Sequence, residues 1–305
     1  DTFSISENAR RKGGAKSGGS TMFLIPGKKV RVEDLIRGII VQSGNDACIV
    51  VAEGLASSEE AFAEEMTARA KELGLKNSVF KNSTGWPDPE HLTTARDLAI
   101  LAQRTIEDFP GFYHYYKETE FTYNGIRQIN RNPLLYRDIE VDGLKSGHTQ
   151  DAGYGLTASA TKGDRRLILV VNGLASKKER RRESDRLLAW GLREFNNYKL
   201  FSAGEEVTKA EIWLGKEAQV ALMIEKEMLI TLSRKARRKM KVAVHMESPV
   251  PAPIAKGQKI AKLVVTAPGF DPIEVPLIAT QPVERLGLFG RLGTALKAII
   301  WGEPG

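Results

Sequence analysis

The chain of 305 residues contains few cysteines and histidines, and their scarcity removes whole classes of functional site. A single cysteine, Cys48, excludes an intrachain disulfide and any zinc cluster built from thiolates. The four histidines are scattered without the spacing of a metal-binding helix, so we expect no metal site. No uninterrupted apolar run reaches about eighteen residues, so no segment is typical of a simple membrane-spanning helix.

The residues that are present predict a folded, basic protein. Hydrophobic residues make up 42% of the chain and charged residues 27%, which argues against disorder. Lysine and arginine exceed aspartate and glutamate by 45 − 38 = 7, and this balance favours anionic partners. The basic runs lack interleaved aromatic residues and any known nucleic-acid motif, so we expect no nucleic-acid partner.

Hydrophobic periodicity divides the chain into segments of different character. Helical and strand-like patterns alternate over residues 1–195, which predicts an α/β (α+β) domain with helices and an antiparallel sheet. Short strand-like runs separated by turns occupy residues 196–282 and predict a smaller all-β domain. Residues 283–305 form a third segment with a helical pattern.

The third segment predicts an amphipathic C-terminal helix. Basic residues flank its apolar face, an arrangement that suits the plane of a membrane interface. A helix docked on the β domain is the alternative, and the polar residues 280–281 with Pro282 favour the membrane interpretation. The apolar face contains Leu288, Phe289, Leu292, Ala295, Leu296, Ile299 and Ile300.

Side chains that can cap a helix mark two helix starts in the first domain. Ser57 with Glu60, and Thr94 with Asp97, have the spacing of a helix-capping pair. A last helix is predicted at residues 186–195, where leucines share one face.

Two tripeptides, Ser43-Gly44-Asn45 and Lys145-Ser146-Gly147, have side chains typical of serine acyl-transfer enzymes that act on penicillin and D-alanyl peptides. Second copies occur at residues 6–8 and 16–18, so each motif alone is weak evidence. Residues 43–45 follow an amphipathic helix and residues 145–147 lie on a strand-like stretch, as such a site requires. The other copies are predicted to end a strand and to lie in a glycine-rich loop.

With its longer matching stretches, the sequence resembles the low-molecular-mass penicillin-binding proteins, the D-alanyl-D-alanine carboxypeptidases that trim peptidoglycan. The resemblance covers most of residues 1–195 and implies a transpeptidase/β-lactamase-like domain. The β-rich segment and the amphipathic C-terminus fit the family's domain plan. The stretches that carry the resemblance include Ser20-Thr21-Met22-Phe23, Gln42-Ser43-Gly44-Asn45-Asp46, Asn130-Arg131-Asn132 and Val141-Asp142-Gly143-Leu144-Lys145-Ser146-Gly147-His148-Thr149.

The resemblance implies acyl transfer through a covalent serine ester, without a cofactor. Ser43 would relay a proton to the leaving amine, and Asn45 would hold the peptide carbonyl. Lys145 would supply a positive charge that attracts the anionic substrate and favours deprotonated groups around it.

Four further residues would bind substrate if the resemblance holds. Arg131 and Ser146 would bind the terminal carboxylate, Arg131 through its planar guanidinium. Gly147 would let the substrate backbone approach, and His148 flanks the same strand. Threonine is commoner than serine at the position of Ser146, but the hydroxyl is retained, so we expect a modest effect.

The family's nucleophile is the serine of a Ser-x-x-Lys element that precedes the Ser-x-Asn element. The copies at residues 78–81 and 159–162 both follow Ser43, and neither is predicted to open a buried helix. We therefore expect the nucleophile to lie in a segment before Asp1.

The function that the resemblance implies is a periplasmic D-Ala-D-Ala carboxypeptidase, peripherally attached to the outer face of the cytoplasmic membrane through residues 283–305. Its expected partners are the peptidoglycan pentapeptide, β-lactam antibiotics and the inner-membrane surface. One alternative is a weakly catalytic protein that binds peptidoglycan or a partner. The other is a β-lactamase, which is disfavoured because no Glu-x-x-Leu-Asn-like loop lies between Ser43 and Lys145.

Overall fold

The computed structural model describes residues 1–137, 139–290 and 292, which divide into two compact units on either side of the junction between Leu192 and Arg193. Each unit has its own buried hydrophobic cluster. The helices of the first unit are Glu7–Gly13 (α1), Val32–Arg37 (α2), Asn45–Ala56 (α3), Glu59–Glu72 (α4), Ala95–Asp108 (α5) and Lys177–Glu194 (α6), the last of which extends across the junction.

A three-stranded antiparallel sheet forms the centre of the first unit, with its strands in sequence order. The strands of the first unit are Thr2–Ser4 (β1), Lys29–Arg31 (β2), Glu120–Tyr123 (β3), Ile126–Ile129 (β4), Val141–Thr149 (β5), Gly153–Lys162 (β6) and Arg165–Leu174 (β7). The central sheet contains β5, β6 and β7, and β5 lies at one of its edges.

Side chains along each strand of the central sheet point alternately to its two faces, and helices pack against the sheet. Leu156, Ala158 and Ala160 of β6 are buried on one face and cluster with Leu188 of α6. Helix α5 lies against β7 and β6. The glycine at the hairpin turn, Gly163, has φ +62°, a conformation that side chains rarely adopt, and it lets β6 reverse directly into β7.

The helix starts agree with the sequence at one position and differ at another. Thr94 caps α5 as predicted, with its hydroxyl accepting a hydrogen bond of 3.1 Å from the amide of Asp97. The prediction that Ser57 caps the next helix is wrong, because Ser57 has φ +67° and ends α3. Ser58 is the cap of α4 and accepts from the amide of Ala61 at 3.1 Å.

Two other boundaries correct the sequence interpretation. Residues 6–8 do not end a strand, because Ser6 accepts a hydrogen bond from the amide of Ala9 at 2.9 Å and starts α1. The helix predicted at residues 186–195 begins nine residues earlier, at Lys177. Hydrophobic periodicity does not detect the first turns of this helix, because few of their side chains are apolar.

Strands make up most of the described part of the second unit, in agreement with the all-β prediction, and a short helix follows one of them. Its strands are Phe195–Phe201 (β8), Glu206–Trp213 (β9), Gln219–Ile224 (β10), Met228–Ser233 (β11), Lys241–Met246 (β12), Val250–Pro251 (β13), Lys259–Thr266 (β14) and Ile273–Ala279 (β15), and its helix is Arg234–Arg238 (α7). Six strands form a sheet in the order β12-β14-β15-β10-β9-β13, and β8 pairs with β11.

The first residues of the C-terminal segment do not form the helix that the sequence predicts. Val283 pairs with Ile254 in both directions, at 2.9 Å for each hydrogen bond, and Leu286 donates to the carbonyl of Leu214. The chain is therefore attached to the β domain through this stretch, and a helix starting at Val283 is wrong. Residues 288–290 are helical, and most of the remaining predicted helix lies outside the described residues. Within the described part of the chain, we find no helix whose length and hydrophobicity would let it span a bilayer.

Candidate active site

A tight turn presents the Ser43 side chain. A π-helical turn, Gly38–Gln42, continues α2 and ends at Ser43, which has φ +57°. A left-handed conformation at a residue with a side chain costs on the order of 1 kcal/mol. Here it is fixed by the amide of Gly44, which donates to the carbonyl of Gly38 at 3.0 Å. Asn45 then begins α3, so the hydroxyl and the amide side chains leave the backbone at the same turn.

The second tripeptide lies on the edge strand and contacts this turn. Lys145 is on β5, and its Nζ donates a hydrogen bond to Oγ of Ser43 at 2.8 Å. The same ammonium donates to the carbonyl of Ser146 at 2.7 Å. Two motifs separated by about a hundred residues in sequence are thereby joined by one hydrogen bond.

The surroundings of Lys145 lower the pKa of its ammonium group. Burial of the side chain, with smaller contributions from the positive charges of Arg131 and Arg180, lowers the pKa of Lys145 from 10.5 to about 8. Its pKa therefore lies close to neutrality, where a proton can be gained or lost during a reaction.

All the substrate and catalytic residues expected from the sequence line one cleft of about 1430 Å³ in the first unit. They are Ser43, Asn45, Arg131, Lys145, Ser146, Gly147 and His148. A Cβ built on Gly147 would meet no atom within 4 Å, so this strand position leaves open space for a ligand. The His148 ring lies against the ring of Tyr154, with 3.9 Å between centroids.

A second guanidinium in the cleft, Arg180 of α6, was not found from the sequence. It is 7% exposed, and its Nη2 donates to the carbonyl of Arg131 at 3.4 Å. Its Nε has no hydrogen-bond partner among the residues that the structure describes. Burial lowers the pKa of both Arg131 and Arg180. Ser184 and Leu188, four and eight residues further along α6, are also buried, and this burial is a result of the tertiary structure.

The segment of residues 20–24 is another part of the site that the sequence did not assign. Asp46, which is 1% exposed, accepts hydrogen bonds from the Thr21 hydroxyl at 2.7 Å and from two backbone amides of this segment, at 2.8 and 3.0 Å. Ser20, at the start of the segment, contacts Nη1 of Arg131 through its hydroxyl. A buried carboxylate therefore ties the partner of Arg131 to the start of α3.

The two Ser-x-x-Lys copies are placed where their hydroxyls have other partners. Ser78 Oγ donates to Asp97 at 2.7 Å, and this hydrogen bond is the main cause of the lowered pKa of Asp97. Lys81 forms an ion pair with Glu90 at 3.0 Å. Ser159 accepts from Nη1 of an arginine on β7 at 2.6 Å. Neither serine is among the residues that line the cleft.

Cys48 also lines the cleft, one helical turn after Asn45. Burial raises the pKa of its thiol to about 12. The thiol is therefore protonated at neutral pH and is a weak nucleophile.

Comparison with known proteins identifies the family of the chain. Residues 1–176 match the family model described as D-alanyl-D-alanine carboxypeptidase, and residues 195–285 match the model described as penicillin-binding protein 5, C-terminal domain. The chain is 40% identical over 282 residues to the D-alanyl-D-alanine carboxypeptidase DacA of Escherichia coli strain K12, across 92% of this chain and 70% of that protein. It is also 40% identical to DacC of the same strain, across 96% of this chain and 74% of that protein.

The structural comparison covers both units. The crystal structure of penicillin binding protein 5 from Haemophilus influenzae matches with a TM-score of 0.82 and 38% identity, across 93% of this chain and 83% of that chain. The family, the penicillin-binding protein fold and the all-β second domain expected from the sequence are confirmed, and the C-terminal helix is confirmed only in part. The chain belongs to the D-alanyl-D-alanine carboxypeptidase family and is a serine-type D-Ala-D-Ala carboxypeptidase.

Proposed function

We propose that this protein removes the terminal D-alanine from peptidoglycan stem peptides through a serine ester, with Ser43, Asn45 and Lys145 assisting the reaction. The observation that carries this proposal is the 2.8 Å hydrogen bond from Lys145 Nζ to Ser43 Oγ. It places a proton-bearing hydroxyl next to a lysine whose pKa is about 8, at the wall of an open cleft.

The hydrogen bond sets the direction in which a proton can move. Because the ammonium of Lys145 donates to Ser43, the hydroxyl proton of Ser43 is free to point at the leaving amine of the substrate. As that amine takes the proton, the ammonium of Lys145 stabilises the negative charge that develops on Ser43 Oγ and returns a proton to it, and Lys145 then regains its proton from solvent. Asn45, one residue beyond the turn, holds the carbonyl of the peptide that stays on the enzyme.

The terminal carboxylate is bound by Arg131, Arg180 and Ser146. No carboxylate of the described residues forms an ion pair with either guanidinium, and burial lowers the pKa of both. The two charges are therefore available for an anion from outside the chain, and a guanidinium can bind a carboxylate through two parallel hydrogen bonds. Ser146 adds a hydroxyl from the edge strand, and Gly147 and His148 border the space beside it.

Activity and adduct lifetime together test this function against its alternatives. In the protein expressed from its complete gene, we expect D-alanine to be released from a pentapeptide ending in D-Ala-D-Ala. We also expect a labelled penicillin to form an adduct that persists for minutes or longer, because the sequence shows no deacylating Glu-x-x-Leu-Asn-like loop between Ser43 and Lys145. Adduct loss within seconds would identify a β-lactamase, and an absence of D-alanine release would favour a binding protein.

We also propose that the protein is periplasmic and is peripherally attached to the outer face of the cytoplasmic membrane through its C-terminal segment. Three large apolar side chains near the end of the described chain are open to water: Leu288 is 71% exposed, Phe289 91% and Leu292 59%. In the sequence, the apolar face continues to Ile300 between basic residues, which suits an anionic membrane surface.

Truncation after Gly287 tests the membrane attachment while keeping the stretch that pairs with the β domain. We expect this variant to stay in the supernatant when it is centrifuged with vesicles that contain anionic lipid, whereas the untruncated protein sediments. Release of D-alanine from a soluble peptide serves as the control and is unchanged, because the cleft lies in the first unit. Sedimentation of the truncated protein with the vesicles would refute the attachment.

A further inference from the structure

An exposed tryptophan forms part of the cleft wall, and the mechanism above does not use it. Trp86 lines the cleft and is 43% exposed. Large aromatic side chains are usually buried by other side chains, and an indole left open in a cleft is typical of a contact surface for a ligand.

The loop that carries Trp86 is fixed by its own hydrogen bonds. The Oδ1 atom of Asn82 accepts from the amides of Gly85 at 2.7 Å and of Trp86 at 3.1 Å. The Nδ2 atom of Asn82 donates to the carbonyl of Trp86 at 3.0 Å. Ser83 is bound to Glu59 at the start of α4 by its hydroxyl, at 2.9 Å. The backbone that carries Trp86 is therefore held in place before any ligand binds, which limits the loop entropy lost on binding.

The indole lies beside the amide of the Ser-x-Asn element. A Cβ built on Gly19 would lie 2.4 Å from Nδ2 of Asn45 and 3.2 Å from Cζ2 of Trp86. Both side chains therefore lie next to Gly19, and a larger residue at this position would not leave room for them. A peptide whose carbonyl is held by Asn45 must pass close to Trp86.

We propose that Trp86 is a specificity-determining residue that packs against the acyl part of the substrate, the residues that precede the scissile bond. This inference rests on the proposed function, because Asn45 defines where the acyl part lies. The leaving D-alanine ends in a carboxylate, which the guanidiniums of Arg131 and Arg180 match, whereas an indole matches an aliphatic chain. Trp86 therefore favours stem peptides with a long side chain before D-Ala-D-Ala over substrates with a small acyl group.

Two synthetic substrates separate this role from a general loss of activity. Diacetyl-L-Lys-D-Ala-D-Ala has a long aliphatic side chain, and acetyl-D-Ala-D-Ala has a small acyl group. For Trp86→Ala, we expect kcat/KM to fall about tenfold for the long substrate, mainly through KM, and less than about twofold for the short one. Trp86→Phe keeps an aromatic ring and restores most of the preference.

Trp190→Phe is the matched control, because Trp190 is 46% exposed, lies on α6 and is not among the residues that line the cleft. It leaves the ratio of the two kcat/KM values unchanged. A thermal unfolding curve checks that Trp86→Ala is folded. The inference is overturned if this folded variant changes kcat/KM equally for both substrates, or changes it for neither. If the unaltered enzyme releases D-alanine from neither substrate, the proposed function fails instead.

Discussion

Lys145→Ala lowers the rate at which penicillin acylates the enzyme by roughly 10²- to 10³-fold, the size of effect seen when one charge-stabilising donor is removed from a catalytic site. The ammonium of Lys145 is the hydrogen-bond donor that orients Ser43, at 2.8 Å, and it is the positive charge beside the reacting centre. Alanine removes both contributions together. The measurement is the rate of covalent labelling by a fluorescent penicillin in the protein expressed from its complete gene.

Lys162→Ala is the control for this substitution. Lys162 ends β6 of the same sheet, is exposed and belongs to the Ser159-x-x-Lys162 copy that does not line the cleft. We expect its labelling rate to stay within about twofold of the unaltered enzyme, because surface substitutions far from a site have small effects. Equal labelling by the Lys145→Ala variant and the unaltered enzyme would remove Lys145 from the mechanism.

The loss in Lys145→Ala is expected to be chemical and not a loss of the fold. Burial already disfavours the charged form of Lys145, so removing the ammonium also removes a desolvation cost. The substitution deletes the hydrogen bonds that the ammonium donates to the hydroxyl of Ser43 and to the carbonyl of Ser146. A thermal unfolding curve close to that of the unaltered protein distinguishes the two explanations.

The parts of the site that the sequence predicted are those whose position depends on local structure. Residues 43–45 follow a helix and residues 145–147 lie on a strand, and both contexts are visible as periodic patterns. Their contact across the cleft could be expected only from the family resemblance, since no periodicity links segments about a hundred residues apart.

Arg180 shows what local patterns cannot reveal. It lies in a run of charged residues that resembles a solvated helix surface, and most side chains of that run are exposed. Whether one of them is buried depends on the sheet against which the helix packs, and here Leu188 of the same helix face is buried against β6. The identification of Arg180 as a cleft residue therefore needs the tertiary structure.

The predicted start of the C-terminal helix at Val283 is wrong for a similar reason, although residues 288–290 are helical. Its apolar residues have helical spacing, yet Val283 pairs with Ile254 and is 1% exposed. Backbone hydrogen bonds to Ile254, a residue far away in sequence, outweighed a weak local preference, and single-sequence patterns do not contain such pairing.

The pH dependence of acylation gives the second large expected effect. The pKa of Lys145 is about 8, well below the ordinary value of 10.5, chiefly because the side chain is buried. The lysine loses its proton as the pH rises through about 8, and the neutral amine no longer supplies a positive charge. We expect kcat/KM for D-alanine release, and the rate of penicillin acylation, to fall about tenfold per pH unit above this point.

The alkaline fall in rate can be separated from unfolding. Because the folded-state pKa of Lys145 is below its unfolded value, the unfolded chain binds more protons between about pH 8 and 10.5. The contribution of this residue to stability therefore increases across the same range in which activity falls. Unfolding curves at pH 8 and pH 10 measure the two effects independently.

The Lys145→Arg variant tests whether the decrease in rate at alkaline pH is caused by Lys145. A guanidinium stays protonated throughout the range, so whatever activity this variant retains is expected to lack an alkaline limb near pH 8. A limb that remains at the same pH in Lys145→Arg would assign it to another group. A rate that increases as the pH passes 8 in the unaltered enzyme would mean that Lys145 acts as a neutral base, and the role of its positive charge would have to be abandoned.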